Sequence, residues 1–177
     1  MRTWIAIGGL LVAGAAVAVP MLVPEPAAPE LDQELLRAVA PVVHADLPVN
    51  RKVVWPGTAG GRWFCAERPV ETRRDGDDVR FGLLASCSEY AHRDGKLVHG
   101  SGFSGALVVT LAASPDGYRV RDVELPPDGA GNSAALKRMF SAAGYEQVQR
   151  SAGHGPDPAP EARAAFGLPA DAPVVPR

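Results

Sequence analysis

The sequence predicts an α+β domain: a four-stranded antiparallel meander covered by amphipathic helices, standing after an N-terminal transmembrane or signal helix. Three observations carry this reading. The hydrophobic period is helical before Pro48 and alternates from Arg62 onward. Three Asp-Gly pairs, Asp75-Gly76, Asp94-Gly95 and Asp116-Gly117, punctuate the alternating stretch as tight hairpin turns do. An uncharged apolar run, Trp4 to Val23, precedes all of it.

That run has the length of about 20 residues that a helix needs to cross a bilayer. Arg2 and the amino group flank one side, and Glu25, Glu30, Asp32 and Glu34 follow the other. The positive-inside bias then keeps the amino terminus in the cytoplasm and sends the rest outside. Ala16-Val17-Ala18 also fits the small-x-small pattern of a signal-peptidase site, so a retained anchor and a cleaved signal both stand open. No cysteine lies near the end of the run, which excludes a lipoprotein anchor. The expected location is the cell membrane, single-pass with the C-terminal domain outside, or the secreted fraction if the signal is cut. Residues 4–23 would be the contact with the membrane if they are uncleaved.

Residues 24–30, Pro-Glu-Pro-Ala-Ala-Pro-Glu, read as a stiff extended linker. The domain is expected over residues 31–150. Leu31, Leu35, Val39, Val42 and Val43 recur at helical spacing with Asp32, Glu34 and Arg37 on other faces, and Pro48 ends the helix. Residues 49–61 read as a loop containing Val53-Val54-Trp55. Strands are expected at about 62–73, 78–92, 96–113 and 118–125.

The turns imply a register. A two-residue turn at Asp94-Gly95 sets Phe81 opposite Val108, Leu83 opposite Ala106, Cys87 opposite Gly102, Tyr90 opposite His99 and His92 opposite Leu97. One at Asp116-Gly117 sets Val108 opposite Leu125 and Thr110 opposite Val123. Val79, Phe81, Leu83, Val108, Val123 and Leu125 then share one face. A three-residue loop or a bulge in the first hairpin brings Cys65 opposite Cys87, and in an oxidising compartment two such cysteines pair. After the sheet, Asn132 or Ser133 can cap a second helix, with Leu136, Met139, Phe140 and Ala143 on one face and a stop at Gly144. Residues 151–177 are rich in Pro, Ala and Gly and read as a flexible tail with room for one helical turn at 161–166.

The layout resembles that of cystatin-like and NTF2-like α+β domains, in which a helix packs on a curved antiparallel sheet. Gly117-Tyr118-Arg119-Val120 through Val123-Glu124-Leu125-Pro126 is similar to the closing strand of small exported domains of that type. The resemblance implies architecture only, because such domains include enzymes, ligand binders and assembly modules.

Composition and motifs narrow the function. A net charge of −2 gives no electrostatic case for nucleic acid. The basic residues are 15 Arg and 3 Lys, a bias read as that of a GC-rich genome. No internal repeat marks a solenoid or propeller. Gly100-Ser101-Gly102-Phe103-Ser104-Gly105 matches G-x-G-x-x-G, but a strand follows where a dinucleotide site needs a helix; no cofactor is expected. Ser104 lacks the final glycine of a nucleophile elbow, since Ala106 stands there.

Tyr90, His99, Phe103 and Leu107 are the ligand-binding candidates, taken with Leu84 to share one sheet face, apolar in the middle and polar at one end. No catalytic set is assigned: Glu89 alternates to the other face and Asp122 is distant. His44, at the end of the first helix, complements its dipole, and His154 lies in the tail. Arg73-Arg74 with Asp75, Asp77 and Asp78 form a charged hairpin tip without the ligand pattern of a calcium loop, and no metal is expected. Trp55 and Trp63 read as core or rim packing. The expected role is therefore an exported, membrane-tethered, non-enzymatic interaction or accessory domain with an exported protein partner. The alternatives are a small-molecule binder with a pocket on the sheet face and, after it, a small hydrolase or isomerase, which requires a His–acid pair in a cleft.

Overall fold

The computed structural model describes residues 31–57, 60–151 and 155–177. The apolar run, the linker and His154 lie outside the described residues, among which no helix is long and apolar enough to cross a membrane. Among the described residues the fold is α+β, with a mostly antiparallel sheet of five strands and with four α-helices.

Helix α1 (Gln33–Asp46) is capped by Asp32, whose carboxylate accepts from the amides of Glu34 and Leu35. A 3-10 turn, Leu47–Val49, follows it at Pro48. Strands β1 (Arg62–Asp75), β2 (Asp78–Arg93), β3 (Lys96–Ser114) and β4 (Gly117–Glu124) form the expected meander in that order. The β2–β3 turn has positive φ at both Asp94 and Gly95, at 49° and 74°, the geometry that matches the right-handed twist of its strands.

Three bulges adjust the register. In the first hairpin Asp75 pairs with Asp78 across a two-residue turn, and an extra residue, Val70, restores Cys65 to Cys87. In the second, Tyr90 pairs with His99 and His92 with Leu97 as expected. Beyond them Glu89 stands against two residues, Gly100 and Ser101, so Phe81 meets Val109, Leu83 meets Leu107 and Cys87 meets Phe103. The expected partners Val108, Ala106 and Gly102 are each displaced by one. In the third hairpin the turn residues are Pro115-Asp116, and Arg121 is the extra residue, so Val108 meets Glu124 and Thr110 meets Asp122.

Both faces of the sheet are covered. On one, Leu35, Val39 and Val43 of α1 pack with Val53 on Phe81, Leu83, Leu107, Val109 and Val123. The other face carries two clusters. Toward the β1–β2 turn, Val70, Leu84, Ala106 and Val108 meet the two helices α2 (Asn132–Met139) and α3 (Ala142–Arg150). Val108 therefore lies opposite the face expected for it. The single second helix of the sequence reading is in fact this pair. Phe140 is extended, with φ −110° and ψ 157°, and Ser141 caps a new helix that runs through Gly144.

The remaining cover comes from the residues read as a tail. Helix α4 (Ala159–Ala165) overlaps the expected helical turn at 161–166, and strand β5 (Val174–Pro176) pairs in parallel with β3, Leu97 against Val174. Ala159, Ala162, Phe166 and Leu168 close over Phe64, Tyr90 and Leu97.

Candidate functional site

Besides the outer edges of β1 and β4, a stretch of β3 is unpaired among the described residues. β4 leaves β3 at Val108 and β5 joins it only at His99, so among the described residues no strand pairs with the outer edge of 100–107. Beside that stretch lies a cleft of about 400 Å³. Its apolar floor is Leu84 and Ala106 from the sheet, and Leu136 and Val148 wall it from α2 and α3. Ser104, Asp128, Asn132 and Gln149 supply a polar rim. The size and the apolar lining with a few converging polar groups are those of small-molecule sites.

Each rim residue has a local reason for its place. The bulge at Gly100-Ser101 resets the alternation so that Ser104 falls beside Ser86, with the hydroxyls 3.0 Å apart. Asn132 starts α2 and donates its amide nitrogen to the Pro127 carbonyl at 3.2 Å, which pins the 125–131 connection over the cleft. Asp128 is the ionisable side chain among the described lining residues, and no arginine or lysine stands with it. Charge therefore favours a neutral or cationic guest with a hydrogen-bond donor over an anion.

The four residues proposed from sequence do not form one site. Tyr90 and His99 share a face, with ring centroids 5.4 Å apart. Phe103 and Leu107 sit with the α1-side core instead, because the bulge inserts one residue between the two pairs and reverses the faces. Leu84 remains on the Tyr90 side. Of the four, Phe103 borders the cleft, at the edge of β3. Tyr90 is buried under α4, and burial is the main cause that raises its hydroxyl pKa. Around it Phe64 and Phe166 meet edge to face at 5.7 Å, and the Arg62 guanidinium stacks 5.2 Å from Phe64. The place where a pocket was expected is filled.

A His–acid pair is present elsewhere. His44 Nδ1 lies 2.9 Å from Glu67 Oε2, and its Nε2 lies 3.7 Å from Glu161. The hydrogen bond to Glu67 is the main cause that raises the His44 pKa. With a carboxylate on each side, the ring is held toward the imidazolium form and joins α1, β1 and α4. Glu67 occupies Nδ1, and Nε2 faces Glu161 beyond hydrogen-bond distance, so the pair favours the protonated ring over a free base. Two buried carboxylates also have structural work. Glu71 receives the amide and hydroxyl of Ser141 at the start of α3. Glu89 fills a cradle of Gly57, Gly61 and Gly100, where any added Cβ would overlap it. Among the described residues no group of three or more His, Cys, Asp or Glu could hold a metal ion.

The cleft itself was not legible as a site. Its walls come from α2, α3 and the 125–131 connection, and no local spacing relates them to Ser104. Comparison with family models, curated proteins and solved structures finds no match for this chain.

Proposed function

We propose that the chain is an exported, membrane-tethered binding domain whose cleft takes a small, largely apolar molecule bearing a hydrogen-bond donor or a positive charge. The observation that carries this is the cleft: an apolar floor of Leu84, Ala106, Leu136 and Val148 beneath a rim whose ionisable group is Asp128. Its position beside a rigid sheet favours a preformed site, and preformed sites bind without a large ordering cost. The Cys65–Cys87 disulfide supports an oxidising compartment. The tether rests on the charge-free run from Trp4 to Val23.

The test is a thermal-shift panel of neutral, cationic and anionic fragments on the full chain. Neutral or cationic hits are expected, lost when Ala106→Phe fills the floor and weakened when Asp128→Asn removes the rim charge. Anionic hits that survive both substitutions would refute the assignment.

A further inference from the structure

The end of the sheet at which α1 begins carries a charged groove. Arg73 and Arg74 of β1, Arg80 of β2 and Arg138 of α2 line it with two carboxylates, Asp75 and Glu124, around about 470 Å³. Two of the arginines are already held. Arg73 Nε lies 3.2 Å from Glu71 and its Nη2 donates to the Met139 carbonyl at 2.9 Å. Arg80 lies 3.3 Å from Glu124. Arg74 and Arg138 are exposed and, among the described residues, take part in no ion pair or side-chain hydrogen bond. Two held guanidinium groups thus frame two that pair with no described carboxylate; with Glu71, Glu124 and the neighbouring Asp75, three carboxylates meet the four arginines and the groove keeps a net positive charge. Planar guanidinium forks match phosphate oxygens better than any other side chain does.

The position of the groove names the source of the phosphate. The Asp32 amide donates to Thr72 Oγ1 at 2.9 Å, and Thr72 directly precedes Arg73. The chain therefore leaves for its N-terminal segment at the same end of the sheet. Seven residues such as 24–30 can span at most roughly 25 Å even when fully extended. The protein's net charge of −2 gives no long-range pull toward an anionic surface. Attraction is local, works within a Debye length of about 8 Å, and needs something to bring the groove close. A short tether does that by raising the effective concentration. We infer that this groove docks on the anionic phospholipid headgroups of the membrane that anchors the chain, so that Arg74 and Arg138 set the orientation of the domain. The inference rests on the tethered reading above.

The full chain is incorporated into vesicles of phosphatidylcholine, with and without phosphatidylglycerol, and amide exchange is followed over residues 72–80 and 132–140. Slower exchange in the anionic vesicles is expected, abolished by Arg74→Ala with Arg138→Ala and by high salt. Equal exchange in the two vesicles overturns the inference. Equal slowing by inorganic phosphate in neutral vesicles also overturns it, by assigning the groove to a soluble anion. If the chain washes off neutral vesicles, the tether has failed, and the groove is read separately by sedimentation with phosphatidylglycerol vesicles at about 10 mM salt, where a Debye length of about 30 Å lets it act without a tether. There the double substitution should weaken partitioning by roughly 30-fold, the weight of two arginines near an anionic surface. Equal partitioning of the two proteins refutes the groove.

Discussion

Reducing the Cys65–Cys87 bridge should destabilise the domain by an amount that its place in the sheet sets. The two residues are direct partners on β1 and β2, with Cα atoms 4.0 Å apart, and both are fully buried in the α1-side core. Their sequence separation is 22 residues. Closing a loop of that size removes roughly 11 cal/mol/K from the unfolded chain, about 3.4 kcal/mol at 25 °C. For a domain of this length that corresponds to a fall in melting temperature of about 10 °C. The comparison is best made between oxidised protein and protein reduced in denaturant, then refolded under reducing conditions. Both sulfur atoms are retained, so no side-chain volume is lost from the core and the loop term dominates the difference. Urea titrations of the two forms at 25 °C give the difference. A loss under about 1 kcal/mol would refute the reasoning, because it would mean that the hairpin already holds these residues together in the unfolded ensemble.

Three further outcomes follow from contacts described above. Glu71→Ala removes a buried acceptor from the start of α3, and should cost about 2–3 kcal/mol in urea unfolding with faster exchange over 141–146; Glu71→Gln should cost less. An unchanged midpoint in Glu71→Ala would show that Ser141 caps α3 unaided. Because the folded His44 pKa is raised above 6.5, its ion pair stabilises fully below that value and is lost as pH rises through the folded pKa. The stability gap between wild type and His44→Gln should therefore shrink from about pH 6 to about pH 8; a gap that widens would contradict the assignment. Phe166→Ala removes the ring that meets Phe64 and His92, and should speed exchange over 159–176 at a cost of about 2 kcal/mol. Slow exchange there would mean that β5 alone fastens the segment.

The parts of this fold that were legible are those written in local chemistry. The Asp-Gly pairs mark all three hairpin connections to within a residue, and the strand bounds follow from them. The disulfide pairing also follows, since only a loop or bulge correction was needed to bring Cys65 to Cys87. What failed was parity. Glu89 has a long buried side chain and faces Gly100-Ser101, and nothing in β2 or β3 alone announces that one residue there will be left over. A slip of one residue sent Val108 to the wrong face and divided Tyr90 and His99 from Phe103 and Leu107. The C-terminal residues were misread for a different reason. Ala favours helix, but the frequent Pro and Gly break any sustained helical or alternating period, and β5 forms because β4 leaves the outer edge of β3 open to it at Leu97–His99. Composition reports on a segment in isolation and not on the surface it finds. The cleft was hidden by parity and by distance in sequence: its floor follows the corrected register, and its walls come from α2, α3 and the 125–131 connection.

The parallel pairing of β5 with β3 also dictates an order of events. β1 to β4 are joined by two-residue turns, so each pairing closes as soon as its second strand exists. By residue 125 a growing or translocating chain holds α1, the cysteine pair and the whole α1-side core. Phe64, Tyr90 and Leu97 must wait for Ala162 and Phe166, and β5 must wait for Val174. Until the last residues arrive, the half-built domain presents an aromatic surface and a free strand edge at the same end of the sheet. That is the interval in which it is most open to aggregation, and in which a chaperone would have something to hold.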